Sequence, residues 1–153
     1  MDLLNRKYPL TRMRRNRMKS FSRNLMAENR ISINDLIWPV FIKEGTNKTE
    51  SIKTMPDIFC FSIDSLISEL EKPVSKGLNA IALFPQIDAE LKNNKGTLAL
   101  DENNLVCRAI KTIKSYYPDL GLICDVALDP FTDHGHDGIV KNGAVRNDET
   151  IEI

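Results

Sequence analysis

Leu36-Ile37-Trp38-Pro39-Val40-Phe41-Ile42 is apolar at every position and is closed by Lys43-Glu44-Gly45. A strand with one wet face alternates apolar and polar residues. An unbroken apolar run of β-branched and aromatic residues instead suits a strand covered on both faces, as in parallel sheets flanked by helices. Pro39 cannot donate to a ladder, which predicts a bulge or an irregular strand end nearby. Two further runs have the same character: residues 78–84, stopped by Pro85, and residues 120–128.

The segments between these runs have helical spacing. Ile63, Leu66, Ile67 and Leu70 share one face of a helix, with Ser62 as N-cap and Asp64 at its positive end. Pro73 should kink or end that helix, and Gly77 lies near its C-terminus. A second helix is predicted over 101–116, capped by Asp101, with Leu105, Ala109, Ile110 and Ile113 inward and Pro118 beyond its end. Thr46 to about Pro56 reads as a polar loop, and 129–146, with Pro130, Gly135, Gly138 and Gly143, as another. Asn147 followed by Asp148 and Glu149 predicts the cap of a third helix that ends with the chain at Ile153. The order βαβαβα favours a parallel sheet with right-handed crossovers. A doubly wound sheet and part of a (β/α)8 barrel both satisfy it. The Gly-rich phosphate-binding signatures of nucleotide folds are absent from the sequence.

Composition sets the outer bounds. The 153 residues are 42 % apolar and 27 % charged, values of an ordinary globular domain that argue against a disordered, collagenous or disulfide-stapled chain. Cys60, Cys107 and Cys124 are odd in number and widely spaced, and read as reduced thiols. The apolar runs are too short to span a bilayer. Together these features predict a soluble cytoplasmic protein with no membrane partner.

The zero net charge is a sum of two opposed parts. Residues 1–30 carry nine Lys or Arg against Asp2 and Glu28, while the remainder carries an equal and opposite excess of acid. A basic segment on an acidic body suits an arm that lies on an acidic surface. A transit peptide, a nucleic-acid patch built on Arg12, Arg14, Arg15, Arg17 and Lys19, and a solvated terminus are the competing readings. Nucleic acid is the weakest of them, because no aromatic ladder or zinc motif accompanies the charge.

The densest chemistry follows the third run: Asp125-Val-Ala-Leu-Asp129-Pro-Phe-Thr-Asp133-His134-Gly-His136-Asp137-Gly138. The four-residue spacing of the aspartates would make a stripe on a helix, but Pro130, Gly135 and Gly138 oppose one. On a strand, Asp125, Ala127 and Asp129 point the same way, so Asp125 and Asp129 are expected to face a barrel interior together near the strand's C-terminal end. Carboxylates and imidazoles on such a loop can bind Mg²⁺ or Zn²⁺, or steer an ammonium group and shuttle its proton. They can equally serve only to cap turns. Cys124 alone is not a zinc signal.

Taken with residues 36–45, Met55-Pro56, Ala82-Leu-Phe-Pro85 and Asn147-Asp-Glu-Thr150, this segment resembles the delta-aminolevulinic acid dehydratase (porphobilinogen synthase) family, collinearly along essentially the whole chain. The resemblance implies an α/β fold: a partial TIM (β/α)8 barrel, its first three βα units over 31–153, preceded by an extended basic N-terminal arm over 1–30. Chains of the family are about twice as long, which implies a truncation at the start of the third barrel helix. The implied reaction condenses two molecules of 5-aminolevulinate to porphobilinogen, an early step of tetrapyrrole and haem synthesis, through Schiff bases on lysines.

Zinc-using members have three cysteines at the positions of Ala127, Asp129 and Asp137. The resemblance therefore implies the aspartate-rich branch, which lacks the catalytic Zn²⁺ and often uses Mg²⁺ at a site elsewhere; no metal ligand is assigned in this chain. It also implies that Asp125, Asp129 and Asp137 orient the substrate amino group and stabilise iminium intermediates. Arg12, Arg14 and Arg15 match the basic motif of an arm that embraces a neighbouring subunit in a homo-octamer. The Schiff-base lysines, the carboxylate-binding groups and the allosteric Mg²⁺ site fall on polypeptide beyond Ile153, so the chain alone is expected to be inactive, with unpaired sheet edges prone to self-association. Asp57 departs from the family, which usually has glycine after Met-Pro, and so does Pro73. The alternatives from other classes are a non-enzymatic fragment or interaction piece, and a small metal-binding α/β domain.

Overall fold

The computed structural model describes residues 7–9 and 11–153. It divides into two compact units, one ending at Ser32 and one spanning Ile33–Ile153. The first holds two short helices, α1 (Arg15–Met18) and α2 (Ser20–Leu25), neither with a buried residue. The Arg12 guanidinium stands over the Tyr8 ring, 5.9 Å from its centroid, a cation–π contact between two exposed side chains.

The second unit is built on a five-stranded sheet. Its strands are β1 (Ile37–Lys43), β2 (Thr49–Ser51), β3 (Phe59–Phe61), β4 (Ala80–Gln86) and β5 (Gly121–Cys124), in the order β2-β3-β1-β4-β5. All pairs are parallel except β2 with β3. Helices α3 (Ile63–Ser75) and α4 (Leu105–Tyr116) make the crossovers from β3 to β4 and from β4 to β5. A hairpin of β6 (Val140–Lys141) and β7 (Ala144–Val145) and a short helix α5 (Asn147–Ile151) complete the chain. No helix among the described residues is long and apolar enough to cross a membrane.

The two faces of the sheet differ. Val40 and Ile42 of β1 and Ile81 and Leu83 of β4 pack on Leu66 and Leu70 of α3 and on Leu105, Ala109 and Ile113 of α4, forming one core cluster. Each of these side chains other than Ala109 contributes about 1.5–3 kcal/mol by leaving water. The alternate residues Ile37, Phe84 and Ile123 lie on the other face and stay 40–53 % exposed, although Phe41 and Phe84 stack at 5.8 Å there. Apolar side chains thus stand on both faces, as the unbroken runs require, with helices over one of them.

Several local features depart from the sequence reading. Pro39 sits inside a regular ladder with β4, without a bulge, because β3 pairs with β1 only at Phe41 and Ile42 and leaves the proline one-sided. The predicted polar loop after Thr46 contains β2. Ser62 stands at the N-cap of α3 but gives that helix no side-chain cap. Its hydroxyl accepts the Lys48 N–H at 2.9 Å, while its own N–H donates to the Lys48 carbonyl, which extends the β2–β3 pairing. Pro73 is accommodated in the last turn of α3. Asn104, not Asp101, caps α4, its Oδ1 accepting the Cys107 N–H at 2.9 Å; Asp101 instead closes the preceding turn through the Asn103 N–H. Arg146 rather than Asn147 is the cap residue of α5.

Candidate active site

Parallel strands bring their C-terminal ends to one edge of the sheet, where the loops of α/β folds gather functional groups. Here that edge is formed by Lys43 of β1, Gln86 of β4 and Cys124 of β5. The expectation of a strand through Leu128 is corrected. β5 ends at Cys124, so strand alternation does not reach Asp129, and Asp125 and Asp129 are not placed on one strand face. Two forces draw the chain away from β4. The Leu128 N–H is taken by the Asp137 carboxylate at 2.5 Å, and Phe131, 6 % exposed, inserts into the core cluster.

The acidic loop is held throughout. Phe131 and Thr132 N–H groups both donate to the Leu128 carbonyl, at 2.9 and 3.0 Å. Thr132 is buried and its hydroxyl donates to the His136 carbonyl at 2.9 Å. The loop also pairs with the segment that follows β4. The Asn93 N–H donates to the Phe131 carbonyl, and the Asp133 N–H to the Asn93 carbonyl. Gly96 makes this close approach possible: at φ +61°, a Cβ placed there would lie 3.3–3.5 Å from Thr132, Leu128 and Phe131. None of these anchoring residues on the β4 side was singled out from the sequence. The one local signal was Asn93-Asn94-Lys95-Gly96, a turn composition.

Asp125 and Asp137 line one cavity of about 470 Å³, together with Cys107, Cys124, Leu128, Phe131 and Thr150. Asp129 does not line it; its carbonyl faces the Thr132 hydroxyl in the turn. The structure therefore brings two of the three predicted carboxylates together. Burial pushes the Cys124 thiol above its usual range, with the neighbouring Cys107 adding to the effect, so Cys124 is a poor nucleophile. A larger groove of about 720 Å³ between α3 and α4, lined by Asp64, Arg108 and Lys111 among others, shares no residue with this cavity.

Lys43, at the end of β1, does not offer a neutral amine. Its ammonium donates to Glu50 at 2.5 Å, and that hydrogen bond holds Lys43 above the usual lysine range and Glu50 below the usual glutamate range. Among the described residues no three His, Cys, Asp or Glu side chains converge as a metal ion would require. The described residues do not fit a metal ion.

The model of the delta-aminolevulinic acid dehydratase family matches residues 10–153. The chain belongs to that family. It is 45 % identical to the delta-aminolevulinic acid dehydratase of Bradyrhizobium diazoefficiens over 142 residues, which cover 93 % of this chain and 40 % of the relative. Identity is 46 % to the Chlamydia pneumoniae enzyme, over 93 % of this chain and 43 % of the relative. It is 44 % to that of Methanothermus sociabilis, over 95 % and 45 %. Among solved structures, the dehydratase of Toxoplasma gondii ME49 in complex with the reaction product porphobilinogen superposes with a TM-score of 0.86 at 36 % identity, covering 93 % of this chain and 41 % of that one. The chain thus spans about two-fifths of the length of the relatives it matches, and the sheet described above is part of their TIM barrel.

Proposed function

We propose that these 153 residues supply the basic arm (1–30) and the first three βα units (31–153) of a porphobilinogen synthase, which condenses two molecules of 5-aminolevulinate to porphobilinogen in tetrapyrrole and haem synthesis. The observation that carries this reading is the 0.86 TM-score match to a product-bound dehydratase, with the carboxylate loop beyond the C-terminal end of the third parallel strand. In this reading the uncovered apolar sheet face looks into the barrel, and further strands of the same fold cover it.

Asp125 and Asp137 act on the amino end of the substrate. A carboxylate favours an ammonium over a neutral amine, and favours an iminium cation as it develops, most strongly once the site is closed to water. Asp129, outside the shared cavity, contributes to the same negative field from across the Leu128 turn. Lys43, at the strand ends, is held charged by Glu50, and we assign the capture of the substrate ketones to lysines outside this stretch. A Mg²⁺ ion of the aspartate-rich branch is likewise bound by other residues, and no catalytic Zn²⁺ is used. Arg12, Arg14 and Arg15 dock the arm on a neighbouring subunit of a homo-octamer, supported by their exposure and by the apolar side chains Met13, Phe21 and Leu25, which are exposed beside them. The assembly works in the cytoplasm.

A chimera tests this. Residues 10–153 replace the matching stretch of the Bradyrhizobium diazoefficiens dehydratase, and porphobilinogen formation is measured. The expected result is an active, assembled enzyme in which Asp125→Asn or Asp137→Asn lowers kcat by about 10²-fold or more, the scale of losing one electrostatic contact to a developing charge. A folded, assembled chimera that forms no porphobilinogen overturns the reading.

A further inference from the structure

The loop contains two imidazoles to which the proposed chemistry gives no task. His134 lies at the centre of the contact between the acidic loop and the segment after β4, and its two ring nitrogens face different kinds of group. Nε2 is 3.3 Å from the Asn94 carbonyl oxygen, and Nδ1 is 3.1 Å from the backbone nitrogen of His136. A carbonyl can only accept, so Nε2 must carry a proton. A backbone N–H can only donate, so Nδ1 must be bare. The pair of partners selects one form of the ring: neutral, with the proton on Nε2.

We propose that His134 is a positioning residue, a clamp that fixes the acidic loop against the segment after β4 while neutral and releases it when Nδ1 is protonated. Protonation sets an N–H against the His136 N–H and removes that hydrogen bond. It also places a cation beside a second imidazole, since the His136 ring lies 5.6 Å away. The other titratable side chains on the two segments are of mixed sign with acid in excess: Asp88, Glu90, Lys92 and Lys95 on one, Asp125, Asp129, Asp133 and Asp137 on the other. The bonds that share the load are the Thr132 hydroxyl to the His136 carbonyl and the Asn93 pairings. Of these contacts, the two made by the His134 ring are the ones that protonation of an imidazole alters directly.

The consequence for catalysis rests on the function proposed above, because it is Asp129 and Asp137 that the clamp would position. The clamp itself can be tested without activity. On the ¹⁵N-labelled 153-residue chain, long-range proton–nitrogen correlation of the imidazoles at pH 7.5 is expected to show the Nε2–H tautomer for His134. Amide exchange at His136, corrected for its intrinsic pH dependence, is expected to quicken about tenfold between pH 7.5 and 5.5, the scale of one net hydrogen bond. His134→Asn keeps an acceptor near the Nδ1 position but cannot be protonated there, and should remove the pH dependence. An Nδ1–H tautomer in the wild type, or equal pH responses in wild type and His134→Asn, overturns the proposal. In the chimera, the acid limb of kcat should move with the same substitution; an inactive chimera would count against the catalytic reading and leave the tautomer and exchange results to judge the clamp.

Discussion

The acidic loop after β5 and the basic segment before β1 are both highly charged, yet they differ in every other respect. The loop spends its polar groups on itself and on the segment after β4. Asp137 takes the Leu128 N–H, Thr132 the His136 carbonyl, and Phe131 is buried beneath them. The basic segment has two helices of four and six residues with nothing buried in either, too short to be stable by propensity alone. Charge density therefore says little about order. What distinguishes the regions is whether an apolar anchor and paired backbone groups lie beneath the charge.

The largest break in this contrast should come from the anchor. Phe131→Ala removes a core side chain and should destabilise the Ile33–Ile153 unit by about 3–5 kcal/mol, read by urea denaturation, while opening the loop to proteolysis. A smaller effect is expected at Gly138, where φ is +156° and an added Cβ would meet Val145 at 2.9 Å and Thr150 at 3.0 Å. Gly138→Ala should cost about 1–3 kcal/mol and loosen the end of the loop that carries Asp137; an unchanged midpoint would show that the hairpin and α5 yield freely. Asp57 has φ +61°, a left-handed conformation that costs other residues more than glycine. Asp57→Gly should raise stability by up to about 1 kcal/mol, measured as a higher urea midpoint at constant slope.

The smallest change in folding should come from the basic segment. Replacing Arg12, Arg14 and Arg15 together by Ala should leave the stability of the Ile33–Ile153 unit within about 0.5 kcal/mol. In the full-length chimera the same triple substitution should lower the oligomer size seen by light scattering. A large loss of stability with assembly intact would reverse the roles of the two regions.

Much of the architecture was legible in the residues, for reasons that are local. β1 and β4 are runs of apolar residues long enough to pair and be covered, and α3 and α4 repeat their apolar residues at helical spacing. The β6–β7 hairpin lies in the segment expected to be a loop, although it has a local signal: Asn142-Gly143 is the favoured pair for its two-residue turn, and both residues have positive φ, 54° and 74°. The length of β5 was not legible. Residues 120–128 are apolar enough for a strand throughout, but Pro85 of β4 lacks a ladder N–H, and the Leu128 N–H finds a carboxylate nine residues further on. The candidate site divides in the same way. That a cluster of aspartates follows the third strand is evident from the residues; that Asp125 and Asp137 share a cavity while Asp129 does not is decided by the turn at Leu128.

By itself, then, the order of residues determined the segments that form β1, β4, α3 and α4, that the strands joined through these helices run parallel, and where the charge lies. Those properties depend on side-chain period and composition over a few neighbouring residues. Only the tertiary structure decided where β5 stops, which cap serves α4, which carboxylates meet, and which proton His134 must carry. Each of these depends on a hydrogen-bond partner or a packing surface supplied by a distant part of the chain, and contacts of that kind leave no periodic trace in the sequence.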